Sequence, residues 1–450
     1  MGSATTYRAA VVGAGPAGFY ATESLLKASE PSFAVDLIER LPMPYGLVRY
    51  GVAPDHQKIK SVTRAFDKIA TNPNFRFLGN VRLGHDVSVQ ELQAHYDIVI
   101  LCMGCGTDRK LGIPGEELRG CYPATKFVAW YNGHPDFRDF SVALAGQHAI
   151  VVGAGDVSLD ITRMLCRKPA DLATTDIAPY AASVFEKSGV RKISLVIRRG
   201  PEHTPFALKE LHDIVELDNV SVRVDAEVIR QALASEGLDS AVKRKLDFLA
   251  ELAAKPKEDK ERTVEFLFYR SPVEIKGSNG AISQVKLERN AVSSVGGKAT
   301  AAGTGEFELL DAQFVFPAVG YRAEPTAGLP FDDAKGIIPN KEGRVVGAEA
   351  NAGAPLYAAG WIKRGPSGVI GTNKLDANDT VNAVLEDLRA KNPVPVANDS
   401  IDSVLASRNV RVVSFADWQK LDTAERSHGE AIGKVREKFT VIGDALAALS

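Results

Sequence analysis

The chain has 450 residues, 45% of them hydrophobic, and a formal net charge of −2. This length implies two or three domains with sizeable cores, and the near-balanced charge speaks against general nucleic-acid binding. Glycine or charge interrupts every apolar run before it reaches a membrane span, and the stretch before the first predicted strand is too short for a secretory signal, so a cytoplasmic protein without a transmembrane segment is expected.

Residues 9–18, Ala-Ala-Val-Val-Gly-Ala-Gly-Pro-Ala-Gly, read as a strand turning tightly into a helix. The spacing Gly13-x-Gly15-x-x-Gly18 suits a dinucleotide pyrophosphate. The first glycine permits the turn, the second lets backbone approach the ligand, and the third lets helix pack on strand. The helix N-terminus that follows adds free N–H donors and a positive dipole end. A second strand over 33–38 ends in Glu39, 21 residues after Gly18. An acid about 20 residues downstream is where such units bind a ribose 2′-hydroxyl. Three prolines and two glycines in 40–56 exclude a regular element and suit a loop lining a cofactor. A helix is expected over 59–70.

Strands follow near 75–78 and 97–102, the second ending in Cys102-Met-Gly104-Cys105. A redox C-x-x-C pair begins a helix, where the dipole lowers the thiol pKa. Here the pair sits at a strand end beside glycines, so small buried residues in a tight crossing are expected. With Cys121 and Cys166 the total is four, which suits a reducing compartment better than a disulfide scaffold.

A helix near 124–131 leads to a second strand–turn–helix, with Gly153-x-Gly155-x-x-Ser158. Ser158 is small enough for the third glycine's place. Asp156, just before Val157, is less expected, because a carboxylate repels phosphate unless it points away or caps the helix. After an insertion at 168–190, the next strand (192–197) ends in Arg198-Arg199-Gly200. Guanidinium offers bidentate bonds to a ribose 2′-phosphate. The first unit therefore reads as an FAD or NAD site and the second as an NADP site. A helix carrying Glu210 and Asp213 follows. Residues 219–320 read as β-rich, interrupted by a basic helix with Lys243, Arg244 and Lys245 on a solvated face. A later strand enters the glycine-rich stretch from Gly360 to Gly371, then a helix from about Leu375. Close backbone approach to a flat ligand such as a flavin ring explains those glycines. Residues 400–450, with Trp418, read as an appended piece packed on the first domain.

Together these features resemble the adrenodoxin-reductase-like ferredoxin–NADP reductases, flavoproteins with two dinucleotide-binding domains. The resemblance covers nearly the whole chain and is most specific at 45–56, 198–201 and 360–373. It implies an α/β fold of two Rossmann-like domains, the NADP domain (107–320) inserted into the FAD domain (1–106 and 321–450, with an extension from about 400). It implies FAD held by Gly13, Gly15, Pro16, Ala17, Gly18, Glu39, Arg40, Leu47, Gly104 and Gly360. It implies NADP(H) held by Gly153, Gly155, Asp156 and Val157, with Arg198, Arg199 and Glu210 at the adenosine phosphate end. Trp361 and Gly368 would lie near the nicotinamide, Val369 and Ile370 near the flavin. His56 and Asp213 match a catalytic pair. Family members commonly carry glutamate where Asp213 stands and asparagine where Asp156 stands.

The activity implied is hydride transfer from NADPH to flavin N5, then single electrons to an acidic ferredoxin that feeds an oxygenase such as a cytochrome P450. The ferredoxin would dock near Lys243, Arg244 and Lys245. The alternatives are a flavin disulfide reductase using Cys102 and Cys105, or a nucleotide-binding interaction protein without turnover. An electron-supplying subunit with its own iron–sulfur clusters is disfavoured by four scattered cysteines.

Overall fold

The computed structural model describes residues 6–256, 258–295, 298–347, 353–391 and 400–450. The chain divides into two compact units, one of Met1–Thr107, Asn132–Arg138 and Tyr321–Ser450, the other of Asp108–Tyr131 and Asp139–Gly320.

The first unit is built on a seven-stranded sheet. Its strands lie in the order Asn340–Lys341, Arg344–Val345, Leu356–Ala358, Ile98–Leu101, Thr6–Val12, Ser32–Glu39, Phe75–Gly79. The last five are mutually parallel. A parallel strand covered on both faces carries apolar side chains in both directions. Ala9, Ala10 and Val11 meet that demand and are fully buried. Helices Pro16–Lys27 and Ile370–Lys391 pack together, and Phe19, Leu25, Ala377, Val381 and Val384 join one core. The chain runs from Thr6–Val12 outward in one direction, then returns to place Ile98–Leu101 on the other side. Ligands of such sheets bind at the carboxyl ends beside this reversal, here Val12 and Leu101.

The second unit holds a five-stranded parallel sheet in the order Phe314–Pro317, His148–Val152, Lys192–Ile197, Arg262–Phe268, Val220–Arg223. A three-stranded antiparallel sheet, Arg270–Ser278, Ala281–Val295 and Lys298–Asp311, follows its fourth strand in sequence. The α/β class and the two Rossmann-like sheets are as expected.

Several details differ from the sequence reading. The helix expected over 59–70 is two, Gln57–Lys60 and Thr63–Ile69. Ser61 interrupts it by turning its hydroxyl back to the Lys58 carbonyl at 2.6 Å, a local bond that competes with helix continuation. The insertion at 168–190 forms helices Pro169–Ala173 and Pro179–Glu186, each with proline in its first turn, where no donor is lost. The segment Asn132–Arg138 belongs to the first unit, although its neighbours on both sides belong to the second. Polar contacts hold it there: Lys438 Nζ donates to the Asn132 carbonyl at 2.9 Å, and Arg40 pairs with Asp136 at 2.8 Å. The C-terminal residues attach through a bridge between Val413 and Gly79, at the edge of the first sheet. Among the described residues no helix is long and apolar enough to cross a membrane.

Candidate functional site

In the first unit, the three glycines of the opening turn do different work. Gly13 has φ +105°, and a Cβ there would lie 2.6 Å from the Cys102 carbonyl oxygen. A Cβ at Gly18 would lie 1.9 Å from the Gly13 carbonyl oxygen. These two allow backbone to cross backbone. At Gly15 an added Cβ would meet nothing within 4 Å, so this position leaves the turn open to a ligand. Pro16 and Ala17 begin the helix behind it.

Glu39 is fixed by the same turn. Its carboxylate accepts the Ala14 N–H at 2.9 Å and the Leu41 N–H at 3.2 Å. Burial pushes its pKa up, while Arg40 and the backbone donors oppose that shift. The carboxyl oxygens keep acceptor capacity beyond these backbone donors, enough for a ribose hydroxyl. The orientation therefore fits the expected role.

The loop after Glu39 closes on the turn. Tyr45 (φ +86°) donates its N–H to the Ala14 carbonyl at 2.8 Å, and a Cβ on Gly46 would come within 3.1 Å of Gly15 Cα. Leu47 then starts a short helix, Leu47–Tyr50, so the stretch 40–56 is not wholly irregular as expected: the four residues between Gly46 and Gly51 contain no proline or glycine. The left-handed backbone at Tyr45 is held by its side chain. The Tyr45 hydroxyl donates to Asp67 and accepts the Trp418 indole N–H at 3.1 Å. Burial and the Asp67 carboxylate push the Tyr45 pKa far up, so it stays protonated. Arg49 bonds Glu425 Oε2 at 2.9 Å with both side chains buried, and its guanidinium lies 5.1 Å from the Trp418 ring. Trp418 and Glu425 sit on the helix Phe415–Ala431. This buttress escaped the sequence reading. Trp418 was visible as an apolar residue, but nothing local marks Glu425 as the partner of Arg49.

The far strand end closes the other side. Gly360 (φ +77°) brings its backbone so near that a Cβ would lie 2.6 Å from Ala17 Cβ. Its N–H donates to Asp376, which also pairs with Lys363 at 3.1 Å. Arg364 reaches Asn373 Oδ1 at 2.9 Å, and the Trp361 indole N–H donates to the Ser367 carbonyl at 3.1 Å. Asp376, Asn373 and Lys363 are further residues the sequence did not single out. Gly368 (φ +76°) leads to Val369, 66% exposed, and then to Ile370 at the start of the long helix. The helix therefore begins at Ile370 and not near Leu375; Gly371 falls in its first turn. An exposed apolar side chain beside free helix donors suits a flat ring with a polar edge.

Gly104 (φ +73°) lies between Cys102 and Cys105, both buried. No disulfide joins the cysteines among the described residues. Burial, aided by Asp376, pushes the Cys102 thiol far up, which disfavours the thiolate a disulfide reductase requires.

In the second unit the turn is rebuilt with substitutions. Gly153 has φ +145°, and a Cβ would lie 2.4 Å from the Ala318 carbonyl oxygen; Gly155 is open. Ser158 replaces the third glycine with its hydroxyl buried and bonded to the Gly155 carbonyl at 2.6 Å. Asp156 and Val157 open the helix Asp156–Cys166. The Asp156 carboxylate accepts the Ala207 N–H at 2.8 Å.

At the end of the second strand Arg198 is exposed and Arg199 half-buried. Burial and the neighbouring Arg198 charge lower the Arg199 pKa. Two adjacent cations at this strand end fit an anionic ligand. On the helix Leu208–Val215, Glu210 Oε2 accepts from Arg163 at 3.1 Å, and Arg163, fully buried, also pairs with Asp160 at 2.6 Å. Burial and the Asp160 charge push Glu210 up to about 7 despite Arg163. Asp213 pairs with Lys209.

His56 stands in the first unit, before the helix Gln57–Lys60, and Asp213 in the second. One expectation is corrected. Lys243 and Arg244 are exposed, but Lys245 is buried at 6% exposure and donates to the Thr204 carbonyl, so it is not part of an outward basic face.

Comparison with known proteins adds four findings. A family model for pyridine nucleotide-disulphide oxidoreductases matches residues 7–360. The chain is 42% identical to the NADPH-ferredoxin reductase FprA of Mycobacterium leprae over 449 residues, 97% of each chain. It is 40% identical to the mitochondrial NADPH:adrenodoxin oxidoreductase of Arabidopsis thaliana, over 97% of this chain and 94% of that one. Among solved structures it is similar to Mycobacterium tuberculosis FprA in complex with NADPH, with a TM-score of 0.93, 40% identity, and coverage of 99% and 100% of the two chains.

Proposed function

The chain belongs to the pyridine nucleotide-disulphide oxidoreductase family, and from that membership we propose that it is an FAD-dependent NADPH–ferredoxin reductase. The observation that carries the proposal is the contrast between two open glycine turns. The first is served by Glu39, set by two backbone donors to accept a ribose hydroxyl; the second adjoins Arg198 and Arg199. A 2′-phosphate discriminates NADP from NAD, and a guanidinium pair recognises it.

FAD, when bound, accepts a two-electron hydride and releases electrons singly, which is the conversion a one-electron iron–sulfur partner needs. In this reading Gly15 and the helix start at Pro16 take the FAD pyrophosphate, and Glu39 takes the ribose. Arg40, Leu47 and Gly104 line the remainder, and Gly360, Val369 and Ile370 face the ring. Gly153, Gly155 and Val157 take the NADP pyrophosphate, Arg198, Arg199 and Glu210 its adenosine end, and Trp361 and Gly368 the nicotinamide. The buttress of Tyr45, Arg49, Trp418 and Glu425 keeps the loop over Gly15 in place. His56 and Asp213 are assigned as the polar pair of the reaction, with the shorter Asp213 in the position of the family's glutamate.

The partner is an acidic ferredoxin, attracted by the exposed Lys243 and Arg244. We propose a cytoplasmic location, which suits four cysteines that form no disulfide. The test is NADPH-driven reduction of ferredoxins by the purified flavoprotein. A protein that retains FAD but reduces no ferredoxin would overturn the proposal.

A further inference from the structure

Residues 204–207 strap the second glycine turn. Phe206 donates its N–H to the Ala154 carbonyl at 3.2 Å, and Ala207 donates its N–H to Asp156 Oδ1 at 2.8 Å. These bonds tie the strap to the two residues that flank Gly155. Lys245 holds the strap from the other side. Its ammonium donates to the Thr204 carbonyl and lies 4.8 Å from the centroid of the Phe206 ring. It comes from the helix Ser240–Ala254 and is 6% exposed. Burying an ammonium is costly unless charge or hydrogen bonds compensate. The compensation here is a carbonyl, an aromatic face and the negative charges of Asp239 and Asp156.

Asp156 has the complementary difficulty. It places a carboxylate at the first position of the helix whose N-terminus should receive a phosphate. Without a nearby cation that carboxylate would oppose the ligand. We infer that Lys245 is a positioning residue for the pyridine nucleotide: its buried ammonium offsets the Asp156 charge and holds the strap 204–207 against the Gly153–Gly155 turn. The strap also leads directly into the helix Leu208–Val215, which carries Glu210. This inference rests on the reading of the turn as the NADP site.

The test is a double-mutant cycle on the FAD-loaded protein, with NADP+ binding measured by calorimetry and the flavin absorbance and thermal melt recorded for each variant. Lys245→Met is expected to weaken NADP+ binding about tenfold in the natural background, within the range of couplings between residues of one hydrogen-bond network. Asp156→Asn keeps an acceptor for Ala207 and removes the charge, so its affinity is expected to be equal or tighter. In the Asp156→Asn background Lys245→Met is expected to cost about threefold or less, and Lys245→Arg in the natural background likewise. If Lys245→Met does not yield folded protein, Lys245→Gln supplies the neutral arm of the same cycle. Equal weakening by the neutral substitution in both backgrounds, or no weakening in either, would overturn the inference. Absence of NADP+ binding in the unaltered protein would instead overturn the NADP reading, so the two failures are distinguishable.

Discussion

Glu39 and the pair Arg198–Arg199 occupy corresponding places, each at the end of a second strand, with opposite charge. In the proposed reading this difference separates an FAD ribose from an NADP 2′-phosphate. Each hydrogen bond to a charged group contributes about 1.5–3 kcal/mol, so Arg198→Ala or Arg199→Ala should lower kcat/KM for NADPH by about ten- to a hundredfold. The NADH value should change little, which steady-state comparison of the two nucleotides checks. Glu210 gives a second prediction. Its folded pKa of about 7 lies above the ordinary carboxyl value, so the folded state holds a proton that the unfolded state loses first. The stability from this proton is full at low pH and is lost as pH rises through about 7. Thermal melts between pH 5 and 8 should therefore show the unaltered protein losing stability relative to Glu210→Gln; parallel curves would contradict the assignment.

At this scale the glycine turns were legible because their spacing is local. Asp156 was legible as an anomaly but not as a solution, since its partner Ala207 lies on another element. Lys245 was misread for a geometric reason. Three consecutive cations look alike in sequence, but successive residues on a helix point about 100° apart, so they cannot all share one face.

Among the elements, the helix Phe415–Ala431 has the largest unexpected role. Its Glu425 leaves the buried Arg49 without its principal carboxylate when removed. Breaking a buried pair costs about 3–5 kcal/mol, so Glu425→Ala should lower the melting temperature and speed FAD loss. Fluorescence of released flavin during a thermal ramp measures both. An exposed pair such as Arg230 with Glu227 should give a far smaller effect when broken. Strands and long helices were readable from apolar patterning. Contacts such as Arg49 with Glu425 were not, because residues so distant in sequence leave no periodic trace. Helix limits are hard to read where a side chain intervenes, as Ser61 does, or where a glycine-rich stretch runs into the first helical turn, as at Gly371.

The whole molecule repeats one device, strand to glycine turn to helix, in two units of one chain. That repetition made the α/β class and the pair of nucleotide sites legible. The assignment of Asn132–Arg138 to the first unit was not, since it depends on Lys438, Lys60 and Arg40 from distant positions. Exposed Lys243 and Arg244 predict that reduction of a subsaturating acidic ferredoxin slows as salt rises, because the Debye length falls to about 10 Å at 0.1 M and about 3 Å at 1 M. A rate independent of ionic strength would place docking elsewhere.

The most direct measurement of the central claim follows the iron–sulfur absorbance of purified ferredoxins mixed with the FAD-loaded protein and either NADPH or NADH. The account predicts that NADPH reduces at least one ferredoxin, and at least about tenfold more efficiently than NADH, as loss of a charge-assisted phosphate contact requires. Equal efficiency with the two nucleotides, or reduction of a disulfide substrate in place of every ferredoxin, would contradict it.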